Sequence, residues 1–277
     1  MKKISVVFLI IFFSFCSLSY AKQKKQAPIE MLPWKEVNRF LPKYTKFTVK
    51  DFESGKEFRV QRRAGSQHAD VQPLTNADTA IMKQIYNGKW SWKRRAIIVK
   101  YKNQRIAASM HGMPHGAGAL VNNFPGHFCI HFYGSTTHRH NYMDLSHMLM
   151  IYKASGNLPL YYAQAGPYEV ISAFVAGFKE KDPKIISPIS LQPIQWETTI
   201  SLIENTTITS MSELPVEDLQ DEIYLEVPVV IDWFIKGKGR SVFRGNVQLV
   251  RYSPFDAWKV DAVSFLADNH FEEIYYK

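Results

Sequence analysis

Residues 222–252 form the stretch EIYLEVPVVIDWFIKGKGRSVFRGNVQLVRY, in which two long apolar segments flank the short sequence KGKG. Apolar and polar residues alternate along much of both segments, which is typical of β-strands. The glycines between them favour a tight turn, so the stretch predicts a β-hairpin. A third strand is predicted at AWKVDAVSFL, residues 257–266. The end of the chain is therefore expected to be an antiparallel sheet.

A helix is predicted directly before this sheet. The segment PYEVISAFVAGFKEKDP places Val170, Phe174 and Phe178 on one helical face and ends at Asp182-Pro183. This order of a helix followed by long strands resembles the nuclear-transport-factor-2-like (SnoaL-like) family. The resemblance implies a cone-shaped α+β domain over residues 159–277, in which a curved sheet wraps on helices. Such a fold assigns no function by itself.

Strand patterns also dominate the chain between an N-terminal arm, residues 22–45, and residue 158. The predicted strands are FTVKDF (47–52), EFRVQRR (57–63), RRAIIVKY (94–101), QRIAASMHG (104–112) and HFCIHFYG (127–134), and the predicted helices are TNADTAIMKQIYNG (75–88) and MDLSHMLMIYKAS (143–155). Together the patterns predict an α+β protein, with a β-rich domain over residues 46–158 followed by the domain at 159–277.

The first 21 residues have the composition of a secretory signal peptide. Lys2 and Lys3 precede an apolar run, and the segment ends in Ser19-Tyr20-Ala21. The apolar run is shorter than the roughly 20 residues of a spanning helix. We therefore expect a secreted protein of the cell envelope with no transmembrane segment in the mature chain.

The charge of the chain suggests an anionic partner. Removing Lys2 and Lys3 with the leader lowers the formal net charge from +9 to +7. A basic surface suits an anionic cell-wall polymer. No nucleic-acid-binding motif accompanies the charge, so binding to nucleic acid is not expected.

Cys129 is the one cysteine that remains if Cys16 leaves with the leader. A secreted chain with one thiol forms no internal disulfide, so its core must stabilise it. On an extended HFCIHF segment, His127, Cys129 and His131 point to one side of the strand. Neighbouring imidazoles can accept the thiol proton or, when charged, stabilise the thiolate. The pattern thus predicts a cysteine nucleophile more strongly than ordinary strand packing.

Upstream, ASMHGMPHGAGA contains the pairs His111-Gly112 and His115-Gly116. Over roughly residues 95–135 the chain resembles the L,D-transpeptidases of the YkuD type. In that family a strand ends in a His-Gly pair, and a Ser-His-Gly-Cys motif with an arginine two residues after the cysteine supplies the nucleophile. His111 precedes Cys129 by 18 residues, within the spacing of the family. The family's serine, glycine and arginine are replaced here by Gly126, Phe128 and His131.

The resemblance implies acyl transfer from, or hydrolysis of, a peptidoglycan stem peptide. Cys129 would attack an L,D-linkage, and His127 would take the thiol proton. His115 or His111 would orient the reacting groups or shuttle the proton. A charged His131 would replace the missing arginine. This chemistry needs no cofactor and no metal. Residues expected at the substrate are His111, Gly112, Gly116 and Ser135, with the glycines allowing close approach.

Two other functions fit the same residues. A zinc-dependent cell-wall peptidase would use His68, Asp70 and His115 with His127 or His131 as ligands, although no defined zinc signature such as HExxH is present. A non-catalytic cell-wall binding protein would instead use the tryptophans of KWSWKRR, residues 89–95, to stack on sugars.

Overall fold

The computed structural model describes residues 27–137, 142–215 and 219–271, so the predicted leader lies outside the described residues. The described strands are β1 (Ile29–Glu30), β2 (Lys46–Asp51), β3 (Glu57–Ala64), β4 (Ala69–Pro73), β5 (Arg95–Tyr101), β6 (Gln104–Met110), β7 (Phe128–His131), β8 (Ile203–Met211), β9 (Tyr224–Ile235), β10 (Gly239–Val250) and β11 (Lys259–Val260). The described helices are α1 (Trp34–Phe40), α2 (Asn76–Ile85), α3 (Leu145–Ser155), α4 (Leu158–Gln164), α5 (Pro167–Lys179), α6 (Pro183–Ile186), α7 (Trp196–Leu202) and α8 (Ala262–Asp268). Helices and sheets are both substantial, which confirms the α+β class.

Strands β2 to β7 form a closed barrel. They are hydrogen-bonded in the order β6-β5-β2-β3-β4-β7, and β7 pairs with β6 to complete the ring, while β1 adds to β6 in parallel. The inward-facing positions alternate along each strand and are apolar, as in other small barrels. The interior includes Val49, Phe58, Val60, Ala69, Val71, Ile97, Val99, Ile106, Ala108, Phe128 and Ile130.

The second sheet has the order β11-β10-β9-β8 and forms a half-barrel. The predicted hairpin is confirmed, because β9 and β10 pair over their whole length from Gly239↔Ile235 to Val250↔Tyr224. Gly237 and Gly239 have φ of 77° and 79°, which glycine adopts without strain. The predicted helix is confirmed as α5.

The predicted third strand is wrong over most of its length. Only Lys259–Val260 pair with β10, and α8 begins at Ala262. The Asp261 carboxylate accepts a hydrogen bond from the Ser264 N–H, which caps this helix. Phe265 then packs edge-on against Phe174 of α5, at 5.0 Å between ring centroids. The apolar spacing that suggested a strand therefore belongs to a short capped helix.

Helix α3 lies on the outside of the barrel, against β5 and β6. Its buried residues Leu149 and Ile151 belong to the same hydrophobic cluster as Ala96 and Ala107 of the barrel and as α5. The outer face of two barrel strands is thus covered by helices. No helix within the described residues is long and apolar enough to cross a membrane.

Candidate active site

Cys129 lies on the outer face of the barrel, within a polar strip that crosses three strands. It pairs directly with Asp70 of β4, and its neighbour on the same face, His131, pairs with Ser109 of β6. Directly opposed side chains in a sheet lie within contact distance. Phe128 and Ile130 point into the barrel core, so the alternation predicted for β7 is confirmed.

The imidazole that contacts the thiol is His115. Its Nε2 lies 3.3 Å from Cys129 Sγ, and its Nδ1 lies 3.2 Å from the Met113 carbonyl oxygen. A carbonyl only accepts, so Nδ1 carries the proton and Nε2 presents its lone pair to the thiol. Burial lowers the pKa of His115, and the nearby His127 acts in the same direction, although the Met113 hydrogen bond opposes them. His115 is therefore neutral at rest and able to accept a proton.

Asp70 is the second group at the thiol. The Cys129 Sγ donates to Asp70 Oδ1 at 3.6 Å. Burial raises the pKa of the Cys129 thiol, and the negative charge of Asp70 raises it further. The sequence suggested that the imidazoles could stabilise a thiolate. In the resting state they do not, and the sulfur keeps its proton.

His68 connects Asp70 to the loop after β7. Its Nε2 lies 3.2 Å from Asp70 Oδ1, and its Nδ1 lies 2.9 Å from the Thr136 carbonyl oxygen. The ring of His68 thus bridges the Asp70 carboxylate and the backbone of the loop after β7.

His131 lies in the middle of three stacked imidazoles. Its ring centroid is 4.5 Å from that of His68 and 3.8 Å from that of His147, and the planes are nearly parallel. The His147 Nδ1 lies 2.9 Å from the Ser109 hydroxyl. Burial lowers the pKa of His147 well below its ordinary value, and His131 adds to the effect. His131 is buried in this stack rather than exposed beside the thiol as a substitute for an arginine.

His127 holds the loop that delivers His115. The backbones of the two residues exchange hydrogen bonds of 2.9 Å in both directions, and the His127 Nδ1 lies 3.1 Å from the Ala117 carbonyl oxygen. Gly116 and Gly126 have positive φ, and a Cβ at Gly126 would lie 2.5 Å from the His115 carbonyl oxygen. The structure thus brings His115 to the thiol and gives His127 a supporting position.

His111 is buried beside Trp92, whose ring centroid lies 4.7 Å from that of His111 and 5.6 Å from that of His115. Burial lowers the pKa of His111 well below its ordinary value, followed by the effect of His115. Within the described residues, the His111 Nδ1 has no hydrogen-bond partner.

The remaining predicted residues do not reach the thiol through their side chains. The hydroxyl of Ser135 accepts from the Phe132 N–H at 3.0 Å and so closes the turn after β7. Gly112 packs against Tyr86, since a Cβ there would lie 2.5 Å from the ring. Both residues therefore support the backbone around the site and do not contact the thiol.

The site contains residues that the catalytic prediction from sequence did not include. Asp70 and His68 were assigned only to the zinc alternative, and Ser109, Gln72 and His147 to no site. Gln72 lies on the same face of β4 as Asp70, donates to the Gly126 carbonyl at 2.8 Å and accepts from the Ala119 N–H at 2.9 Å. The alternation of β4 could have signalled Asp70 and Gln72, but only the strand register places them opposite β7.

The cluster also contains donors for a metal ion. One set is His68, Cys129 and His131, and the other is His111, His115 and Cys129, and within each set the donor atoms lie within 4.8 Å of one another. His127 belongs to neither set. The zinc ligands predicted from sequence are thus only partly gathered, and Cys129 is common to both sets.

No protein-family model, curated protein or solved structure matches this chain. The likenesses to L,D-transpeptidases and to nuclear-transport-factor-2-like proteins therefore rest on the sequence motifs and patterns alone. Any function proposed for the chain has to account for the geometry around Cys129.

Proposed function

We propose that the chain is a cysteine-dependent acyl-transfer enzyme of the cell envelope that acts on peptidoglycan stem peptides, as the L,D-transpeptidases do. Cys129 is the nucleophile and His115 is the general base. The observation that supports this proposal is the 3.3 Å approach of His115 Nε2 to Cys129 Sγ, with Nδ1 fixed on the Met113 carbonyl. A nucleophile, a base and a group that orients the base are the parts of a catalytic triad.

The reaction begins with a neutral pair. As Sγ bonds to the substrate carbonyl carbon, the thiol proton leaves its hydrogen bond with Asp70 and passes to His115 Nε2, and the Met113 carbonyl stabilises the imidazolium. The imidazolium then protonates the departing amine as the carbon–nitrogen bond breaks, which leaves a thioester on Cys129. An amine or a water molecule attacks the thioester, gives its proton to His115, and releases the product with the proton returned to sulfur.

Intact-mass measurement with a carbapenem or a stem-peptide donor tests the assignment. The protein should gain one acyl group, and Cys129→Ala should gain none. His115→Gln should slow acylation by about 10²-fold to 10⁴-fold, the usual contribution of a general base. His127→Gln serves as the control and should slow it far less. Acylation that persists in Cys129→Ala, or that is equally slow in both histidine variants, contradicts the proposal.

The location of the protein and the identity of its C-terminal part belong to the same proposal. The signal-like residues 1–21 support export. Finding a mature N-terminus near Lys22 in the envelope fraction would test it.

The half-barrel packed on α5 supports a nuclear-transport-factor-2-like module at residues 159–277. Limited proteolysis between α3 and α5 that releases two folded fragments is the test of two separate domains.

Metal-dependent hydrolysis is a second candidate, because two donor sets share Cys129. A zinc ion there would lower the pKa of a bound water molecule. The two candidates differ in their response to EDTA. Activity that is lost with the metal and restored by zinc favours the metallopeptidase, whereas activity that EDTA leaves intact favours the cysteine enzyme.

A further inference from the structure

A cavity of about 790 Å³ opens beside the candidate active site. Two of its lining residues contact the proposed base: the Met113 carbonyl faces His115 Nδ1 at 3.2 Å, and the Trp92 ring lies 5.6 Å from the His115 ring. Trp92 is about half exposed. A ligand in this cavity would therefore lie against the side of His115 that is turned away from the thiol.

The cavity has an excess of positive charge. Its charged lining residues are Lys89, Lys93, Arg94, Arg95, Lys179, Lys181, Glu180 and Glu204. Arg95 is paired with Asp51 at 2.6 Å, and Arg94 with Asp144 at 2.8 Å. The four lysines have no ion pair within the described part of the chain. The cavity thus suits an anion.

Lys93 is a half-buried lysine in the wall of this cavity. Burial lowers its pKa, and the adjacent Arg95 lowers it further. The negative charges of Asp182 and Glu180 raise the pKa of Lys93, yet neither residue forms an ion pair with Lys93. A half-buried cation without an ion pair loses part of its hydration, and an anion that binds it offsets that loss. Lys93 also lines a second cavity of about 210 Å³ that shares Arg94, Arg95 and Lys181 with the first.

We infer that this cavity binds the acyl-donor peptide, with one of its carboxylates on Lys93 and Trp92 covering the segment that leads to Cys129. The inference rests on the proposed function for the identity of the peptide. The volume lies in the range of pockets that enclose a small ligand. Cys129 does not line the cavity, so a peptide anchored there has to extend past Trp92 to bring a carbonyl to the nucleophile. Lys93 is then a specificity-determining residue.

Binding can be measured without chemistry in the Cys129→Ser protein. Isothermal titration would compare a soluble stem tetrapeptide that has free carboxylates with the same peptide after amidation. The free acid should bind about tenfold or more tightly, since a hydrogen bond between charged groups is stronger than one to a neutral amide. Adding Lys93→Gln should remove this preference, whereas adding Lys43→Gln, at an exposed lysine that does not line the cavity, should keep it.

The outcomes separate this inference from the proposed function. A preference for the acid that survives Lys93→Gln, or equal binding of the two peptides to the parent, overturns the inference. If a glycerol-phosphate oligomer binds more tightly than the peptide and its binding depends on Lys93, the ligand is a phosphate polymer and the peptide assignment is wrong. If the acid preference depends on Lys93 but wild-type Cys129 is never acylated, the carboxylate site stands and the enzyme proposal fails.

Discussion

Cys129 and Asp70 face each other across β7 and β4, and this pairing determines the state of the thiol. Burial and the Asp70 carboxylate both raise the thiol pKa, while burial lowers the pKa of His115. The resting site is therefore a neutral thiol beside a neutral imidazole, not a preformed ion pair. In the proposed reaction, nucleophilic attack and proton transfer therefore have to occur together, so reactivity would depend on the substrate being in place.

Replacing Asp70 by Asn should make the thiol more acidic. The substitution removes a negative charge next to sulfur and keeps the shape of the side chain, so less free energy is needed to form the thiolate. The rate of alkylation by iodoacetamide at a fixed pH near 8 should rise, and the midpoint of its pH profile should move to lower pH.

Asp221→Asn is the control, because Asp221 is exposed and far along the chain from the site. It should leave the alkylation profile unchanged. If Asp70→Asn alkylates more slowly than the parent while the protein remains folded, Asp70 does not act on the thiol through its charge.

The sequence predicted which residues of β7 share a face but not which imidazole meets the thiol. Alternation alone places His127 and Cys129 on one side. His115 approaches from a separate loop, and its position depends on the His127 backbone bridge and on the Gln72 side chain. Contacts between segments that are distant in sequence cannot be derived from local periodicity.

The loop over residues 111–127 is the element that assembles the site. Its ends leave β6 and enter β7, and Gln72 of β4 binds it at both Gly126 and Ala119. The close approach at Gly126, where φ is 117°, leaves no space for a side chain. The loop thus fixes His115 relative to a strand from which it is separated in sequence.

Gly126→Ala should reduce acylation of Cys129 by about tenfold or more, because the added methyl group would displace the backbone of His115 and small displacements at a reacting pair are costly. Stopped-flow acylation and thermal unfolding should be measured together. Gly134→Ala is the matched control, since Gly134 also has a positive φ, 73°, but has open space around its Cα. Equal losses of activity in both variants would show that backbone strain, not the position of His115, is responsible.

Long elements with a continuous apolar face were predicted correctly, whereas the short strand β11 and the irregular strand β8 were not. Helix α5 and the β9–β10 hairpin have a continuous apolar face, so their residues specify them locally. Strand β8 was not predicted because its pairing with β9 is interrupted at Ile203/Asn205 and at Ile208/Ser210. Such irregularities break the two-residue alternation on which the prediction of a strand depends.

At the scale of the whole molecule, one ion cluster links the barrel to the helices. Lys153 of α3 is buried and lies 2.6 Å from Glu53, in the β2–β3 turn, and 2.5 Å from Asp182, which precedes α6. Burial raises the pKa of Glu53, but the hydrogen bonds and positive charges of Lys153 and Lys184 outweigh it and lower this pKa below its ordinary value. The interaction of Glu53 is thus present above its unfolded pKa and is lost as the pH falls through the lower, folded pKa.

Lys153→Met should lower the free energy of unfolding by about 3 kcal/mol, because it leaves Asp182 with an unpaired, largely buried charge. Denaturant unfolding at neutral pH gives the value. Lys184→Met is the control, since Lys184 is 62% exposed and contacts the same Glu53 at 3.1 Å. Its effect should stay below about 1 kcal/mol, as is usual for exposed pairs. Similar losses for the two variants would contradict a special role for the buried lysine.

Cys129 lies on β7, the four-residue strand that closes the barrel between β4 and β6. Before closure, the thiol is exposed, and its pKa is that of any free cysteine, about 8.5. After closure, burial and Asp70 raise this pKa and so suppress the thiolate. Because oxidants react with the thiolate, damage to Cys129 falls mainly on chains that have not finished folding. Completing the barrel both brings the thiol to Asp70 and His115 and protects the sulfur from oxidation.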